Sequence, residues 1–434
     1  MRLLPFPIFV AIVLASACGK NQSQPPTPPA PTALSVTTIE PITGPFNTQV
    51  TITGTGFSST GAANSVLFNG KQATVINATS TTLVVEVPKG AIGSTAVKVT
   101  SGGSTANGPD FTYQLTYTVS TYAGNGPGTT NGPIASSKFN SPYGLVIDAS
   151  DNMYVADFAN NQIRKISAGD VSTFAGSTNG YLDAIGAASQ FYAPSGVAFD
   201  DKKNVYVSDF GNSVIRKILP DGTVSTYAGS TFGHADGPAL SAKFSDVIAI
   251  ASDAQNNFYI AEHNGNEIRK IAADGMVSTF AGGVQGFEDG IGTAAKLALP
   301  FGLVCDPSGN LYVCDYGNNA IRKITPAGVV TTLAGGTMGN TDGFGANAKF
   351  NNPSGIVMDA WGNLYVADAF NYTIRKITPD GGVTTIAGKG TPASLDGVGI
   401  NAAFGWPLGI SIDHAGNLFV TDVSTQKIRK ITIE

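Results

Sequence analysis

Histidine, cysteine and charge are all scarce in this chain. Of its 434 residues three are His and three are Cys, and Asp, Glu, Lys and Arg together make up 13%. Three histidines, His234, His263 and His414, are too few and too dispersed for a multi-histidine metal centre. No G-x-S-x-G element, Ser-His-Asp order or phosphate-binding loop occurs, and no D-x-D-x-D spacing suggests calcium. No catalytic residue, metal ligand or cofactor is therefore singled out. Lys and Arg never cluster and the formal net charge is −5, which argues against a nucleic-acid partner, because phosphate binding needs a basic patch. Beyond residue 17 nothing is apolar for the roughly 20 residues that a membrane-spanning helix requires.

The cysteines divide into one near the start and two late in the chain. Cys305 and Cys314 lie in Leu303-Val304-Cys305-Asp306 and Tyr312-Val313-Cys314-Asp315, two consecutive strand-like segments. A hairpin centred on Ser308-Gly309 sets Cys305 opposite Tyr312 and Cys314 opposite Leu303. The thiols are then diagonal neighbours on one face, roughly 7–8 Å apart by Cα, which is long for a disulfide. Two buried, small apolar residues are the expectation, with a disulfide as the alternative in an oxidising compartment.

What is present is repetition. A V-S/T-T-x-A-G segment recurs six times, starting at Val119, Val171, Val224, Val277, Val330 and Val383. Each copy is followed by a long loop and an I-R-K-I strand. The arginines, Arg164, Arg216, Arg269, Arg322, Arg375 and Arg429, stand 52 to 54 residues apart. A period of this size signals a stacked or circular array. One unit reads as four strands: Gly302–Asp306, Leu311–Asp315, Ala320–Thr325 and Val329–Ala334. The P-x-G start, D-x-x-G-N-L-Y-V-A-D, N-x-I-R-K-I and V-T-T-x-A-G resemble NHL repeats from Val119 to the C-terminus. That resemblance implies a six-bladed β-propeller. The array begins with a lone fourth strand, 119–124, and ends on a third strand, Lys427 to Ile433. The first strand is therefore expected to complete the last blade and close the ring.

The segment before the array has short strands punctuated by Gly and Pro and no helical period. Ile39-Glu40-Pro41, Ile52-Thr53-Gly54-Thr55-Gly56-Phe57, Val66-Leu67-Phe68-Asn69-Gly70, Val85-Glu86-Val87-Pro88 and Phe111-Thr112-Tyr113 resemble the IPT/TIG immunoglobulin-like family. A β-sandwich of roughly seven strands is implied, as a spacer or interaction module. Gly54 and Gly56 are expected to permit a tight bend, and Phe57 to plug the core. At the N-terminus, Arg2, the apolar run Leu3–Leu14 and Ala15-Ser16-Ala17 read as an export signal. With Cys18 directly after it, the stretch resembles a bacterial lipoprotein lipobox, Ala15 standing where leucine is usual. The resemblance implies lipid on Cys18, and Gly19 in place of aspartate implies the outer membrane. The alternative is ordinary signal cleavage with an incidental cysteine. The fold class expected is all-β: an immunoglobulin-like sandwich followed by a six-bladed propeller. The divisions are a signal at 1–17, a Pro/Gln/Ser/Thr tether at 18–32, the sandwich at 33–114 and the propeller at 115–434.

Residues constant in all six copies are scaffold. Asp157, Asp209, Glu262, Asp315, Asp368 and Asp422 end each second strand and are expected to pair with the repeat arginines. Asp148 and its five equivalents start D-x-x-x-N turns, and the loop D-G pairs read as turn chemistry. Departures from the repeat mark a candidate ligand-binding face, where the innermost strands begin. There Trp406, Leu408, Tyr143 and Phe301 replace small residues, and Phe158, Phe210, His263 and Tyr316 follow the second-strand acids. Blade three deviates most, with Asp246 in place of the usual pre-proline residue and Glu262-His263. An uneven aromatic rim suits a polysaccharide or oligosaccharide, although gap-filling between blades is the alternative for each ring. The domain order resembles envelope lipoproteins of Bacteroidetes-type bacteria, some of which bind glycans for import. A non-catalytic, envelope-anchored binding protein is expected, touching the membrane through its lipid only. A scaffold for another envelope protein and a propeller lyase or hydrolase are the alternatives.

Overall fold

The computed structural model describes residues 32–434. Cys18, the export signal and nearly all of the tether lie outside the described residues. The chain divides between Tyr113 and Gln114 into two compact units. Among the described residues both are built of strands with only short 3-10 turns between them.

In the first unit, two sheets face each other. One contains Ser35–Glu40, Gln49–Thr55, Thr82–Glu86 and Thr74–Ala78 in that order. The other contains Thr43–Gly44, Ser104–Tyr113, Ser94–Ser101, Asn64–Phe68 and Lys71–Gln72. That makes nine strands, the excess over seven being two-residue edge pairings. Alternation turns Val50, Ile52, Leu83, Val85, Val97 and Val99 inward. Gly54 serves close approach rather than a bend. A Cβ there would come 2.0 Å from the Ser35 carbonyl oxygen and 2.6 Å from the ring of Phe57, which is buried. Gly56, at φ +76°, makes the turn itself.

The second unit is a ring of six sheets, each an antiparallel blade, and its innermost strands are Pro142–Ile147, Pro194–Phe199, Val247–Ser252, Pro300–Cys305, Pro353–Met358 and Pro407–Ile412. The last blade is completed by Tyr117–Ala123, which pairs with Lys427–Ile433 in the register Val119↔Ile431. Thr116 and Glu434 extend the ladder with backbone bonds of 2.7 and 3.0 Å. Every blade thus has its four strands. Five blades gain an outer fifth strand of two residues from the long loop that precedes them, such as Gly397–Val398 against Tyr117–Ala123. Blade two has only an isolated bridge there, Ile185↔Thr223.

Each blade is organised around one guanidinium. The six repeat arginines are 0% exposed. Nη1 donates to the second-strand acid, at 2.6–2.9 Å in blades one to five and 3.4 Å in blade six. Nη2 donates at 2.5–2.8 Å to the loop residues Asn131, Asp183, Asp236, Asp289, Asp342 and Asp396. The loop D-G aspartates therefore do more than shape turns: they are the second anchor of the arginine. Nη1 and Nη2 also each take loop carbonyls, as Arg322 does with Lys296 at 3.1 Å and Glu288 at 3.0 Å. A phenyl ring lies 5.0–5.3 Å from each guanidinium. Burial pushes the Asp209 and Asp368 carboxyls up to about 6 against the pull of their arginines, so both are ionised at neutral pH. Removing one member of such a buried pair costs about 3–5 kcal/mol, because the other is left uncompensated.

The hairpin between the first two strands corrects the cysteine geometry. Cys305 pairs with Leu311 and Leu303 with Val313, one residue away from the expected register. The cause is an odd-numbered turn. Asp306 N donates to the Asn310 carbonyl, Gly309 N donates to the Asp306 carbonyl, and Gly309 takes φ +81°. This is a three-residue turn with a left-handed residue, not a two-residue one. The Asp306 carboxylate stabilises it by accepting from the amides of Ser308 and Asn310. Cys305 and Cys314 consequently face opposite sides of the sheet, Cys305 toward blade three and Cys314 toward blade five. Both are free thiols. Burial pushes Cys305 up to about 12 and raises Cys314 well above the ordinary thiol range, so neither is a thiolate at neutral pH.

Because Tyr117–Ala123 is the fourth strand of the last blade, deleting residues 115–124 would expose the edge of Lys427–Ile433 and unlink blade six from the start of the ring. The expected outcome is a marked fall in the melting temperature of the whole propeller, read by calorimetry. An unchanged melting temperature would refute closure by this strand.

Candidate functional site

The six innermost strands converge on a channel, and glycine decides how closely. Gly144, Gly302, Gly355 and Gly409 follow the second residue of their strands. A Cβ on any of them would lie 2.2–2.5 Å from a carbonyl oxygen of the next inner strand. The P-x-G glycine is thus a packing requirement. Blade three alone has alanine, Ala249. Below this belt an apolar ring of Leu145, Val197, Ile250, Leu303, Ile356 and Ile410 lines the wall. No carboxylate or imidazole lines the channel among the described residues. Its volume is about 100 Å³. That admits a few waters, whereas small-molecule sites run to about 300 Å³ or more.

Above the glycines, the mouth is aromatic on one side. Tyr143 stacks on Phe158 with centroids 4.3 Å apart and planes at 16°, and Phe158 meets Phe210 at 6.2 Å. In blades three and four, Phe301 stacks on Tyr316 at 5.7 Å and 26°, with His263 edge-on to both at 5.8 and 5.7 Å. Tyr143, Phe210 and Phe301 pack against one apolar cluster that includes Ile248 and Leu303, so the two groups form one crescent over blades one to four. All six rings are half-buried. Burial pushes the Tyr143 phenol up, and burial followed by the charge of Tyr143 does the same to Tyr316. Burial lowers His263, which is therefore neutral at pH 7. Its Nδ1 lies 3.3 Å from the Pro300 carbonyl, an arrangement in which Nδ1 donates and Nε2 is left as an acceptor.

Blades five and six contribute no rings to this crescent. Ala369 and Val423 are buried in the positions of Phe158 and Tyr316. Leu408, 1% exposed, forms channel wall and not rim. Trp406 joins a separate pair with Phe370, 6.2 Å away, a ring that the repeat pattern did not flag because it lies one residue beyond the aligned position. The indole Nε1 of Trp406 is buried without an acceptor. Asp246 accepts from the Asn264 side chain at the edge of the crescent. Glu262 points away from Asp246 into the arginine network, where burial raises its carboxyl.

Residues 34–113 match the IPT/TIG domain family. The NHL repeat-containing protein 2 of Homo sapiens is 30% identical over 345 residues, covering 74% of this chain and 42% of that protein. The chain thus spans less than half the length of such curated relatives. Solved structures with the same fold include auxiliary nutrient binding proteins from two Bacteroides species. For that of Bacteroides thetaiotaomicron the TM-score is 0.59 at 18% identity, over 93% of this chain and 98% of the other. For that of Bacteroides ovatus it is 0.59 at 20% identity, over 94% and 100%. An IPT/TIG domain thus precedes a six-bladed propeller that is similar in sequence to NHL repeat-containing proteins.

The propeller also explains why blades three and six deviate. A residue in the left-handed region closes the turn between the second and third strands of each blade, and in four blades its side-chain amide oxygen clamps the next blade. Asn161, Asn266 and Asn319 accept from the amides of Ala193, Leu299 and Asn352 at 2.9–3.0 Å, and Gln426 accepts from Ser141 at 2.5 Å. The two exceptions are Ser213 and Tyr372, which have no amide to offer. Their targets are Asp246 and Trp406, the two departures visible in the sequence. Without a clamp, the Trp406 amide turns to Asp422 at 2.8 Å, and Asp422 in turn sits 3.4 Å from Arg429.

Ser213 has φ +55° and Asp246 φ +51°, the same geometry as the clamped pairs. Ser213→Asn should therefore supply the missing bond and stabilise the propeller by about 1 kcal/mol, measurable by urea unfolding. A neutral or destabilising result would contradict the clamp.

Proposed function

We propose that this chain is a non-catalytic binding protein of the bacterial cell envelope that captures a glycan on the aromatic crescent at the mouth of its propeller. The observation that carries this reading is the crescent itself: half-buried rings over blades one to four, above a channel wall without catalytic groups. The apolar C–H face of a sugar stacks on aromatic rings while its hydroxyls need hydrogen-bonding groups beside them. His263 Nε2, Asp246 and the two tyrosine hydroxyls stand there. The narrow channel supports binding on the mouth, not within the ring. The kinship in fold with auxiliary nutrient binding proteins is in keeping with capture for uptake. A second reading, protein contact, is favoured by a different observation. Large apolar side chains are exposed on the long loops, among them Phe232, Ile291, Met338 and Phe344.

Affinity electrophoresis against a panel of polysaccharides distinguishes these readings. One polysaccharide should retard the protein, and Tyr143→Ala and Phe301→Ala should each weaken binding about tenfold or more, the effect of removing a central aromatic anchor. Loss in Trp406→Ala with full binding in Tyr143→Ala would move the site to blade six. The absence of retardation by any glycan would favour the protein partner.

Anchoring through Cys18, on the outer membrane, belongs to the same proposal and rests on the lipobox-like sequence. Radiolabelled palmitate fed to cells making the full chain should label the wild-type protein and not Cys18→Ser. Equal labelling of both would exclude this anchor.

A further inference from the structure

The arginine network sets a second pair of positions side by side in each blade. One is two residues before the arginine, at the head of the third strand. The other is two residues before the loop residue that the arginine holds. In blade four the pair is Ala320 and Phe287, and in blade six Lys427 reaches Ser394 at 2.8 Å. Blade three has Glu267 and His234, with Glu267 Oε1 2.7 Å from His234 Nδ1. It is also the one blade whose second-strand acid is glutamate, Glu262, one methylene longer than the aspartate elsewhere. A nitrogen of His234 and carboxylate oxygens of Glu262 and Glu267 all lie within 4.8 Å of one another.

Charge and space both single out this cluster. Arg269 is already answered twice, by Glu262 and by Asp236, each at 2.6 Å, as the arginines of four other blades are by their own acids. Glu267 is an additional carboxylate, 2% exposed. Its other oxygen accepts from the Thr279 hydroxyl at 3.3 Å. A carboxylate buried to this degree needs a cation. Glycine keeps room for one. A Cβ on Gly265 would come 3.1 Å from Glu267 Oε1 and 3.2 Å from Glu262 Oε2. His234, Gly265 and Glu267, together with Gly282 and Gly283, border a cavity of about 410 Å³ that is separate from the central channel.

We infer that blade three is a divalent transition-metal site, with His234, Glu262 and Glu267 as its protein ligands. One imidazole nitrogen and two carboxylates form a mixed set that suits zinc, three protein groups leaving a fourth position for water. Calcium and magnesium prefer oxygen alone. The ion replaces the His234–Glu267 hydrogen bond, and the Nδ1 proton leaves as the metal enters. This inference is independent of the glycan reading, because neither His234 nor Glu267 belongs to the crescent.

The test uses the full chain, stripped of metal with a chelator and titrated with zinc chloride by calorimetry and by thermal melting. One ion should bind per chain and raise the melting temperature. Glu267→Gln, which keeps the shape and removes the charge, should weaken zinc binding by at least about tenfold. His234→Ala should do the same. Cobalt(II) loaded in place of zinc should give a d–d absorption band that both variants lose. If Glu267→Gln does not fold, His234→Ala carries the test, since that side chain is half-exposed. A wild-type chain that takes up no zinc would overturn the site. So would uptake that persists undiminished in both variants, which would place the ion elsewhere on the surface.

Discussion

The buried guanidinium is the interaction on which the propeller depends. A blade of four short strands cannot by itself order the long loop that leads into it. That loop is tied down because the repeat arginine reaches out of the third strand and donates to a loop carboxylate or amide and to loop carbonyls. Its other face is held by the second-strand acid. The phenyl ring beneath it supplies a face for the cation. Such a constellation is costly to desolvate and pays only when complete, which is why acid, arginine and loop partner recur together.

Where the scaffold is complete it leaves little scope for function. The central channel is narrowed by the close approach of glycine backbones and walled by aliphatic side chains. Departures from the repeat are displaced to the mouth. There the residue within P-x-G and the residue after the second-strand acid are free to vary, because neither takes part in the arginine network. Tyr143, Phe301, Phe158, Phe210 and Tyr316 occupy those two positions. The asymmetry of the crescent follows from blades five and six filling the same positions with Ser354, Leu408, Ala369 and Val423.

The same logic links the irregular blades to the interblade clamps. An asparagine after the 3-10 turn does two things at once: it tolerates the left-handed backbone and its amide holds the next blade. Ser213 and Tyr372 do neither as well. The backbone that they fail to hold carries Asp246 and Trp406. Two irregularities that look unrelated along the chain are therefore one structural event, repeated on opposite sides of the ring.

The sequence by itself determined the number of blades, the closing strand and the acid–arginine pairing, because each is written as a period of 52 to 54 residues or as an offset within it. It also singled out Tyr143, Phe301, Phe158, Phe210, His263 and Tyr316 as departures from the repeat, since a break in a repeat is visible without coordinates. Only the tertiary structure decided which of these rings touch. Contacts between Tyr143 and Phe158, or Phe301 and His263, depend on the ring curvature that brings loops of different strands and blades together. Tertiary structure likewise separated Trp406 from the crescent and turned Cys305 and Cys314 to opposite faces. A single left-handed residue, Gly309, shifts a strand by one position, and a shift of one reverses the face of every side chain along it.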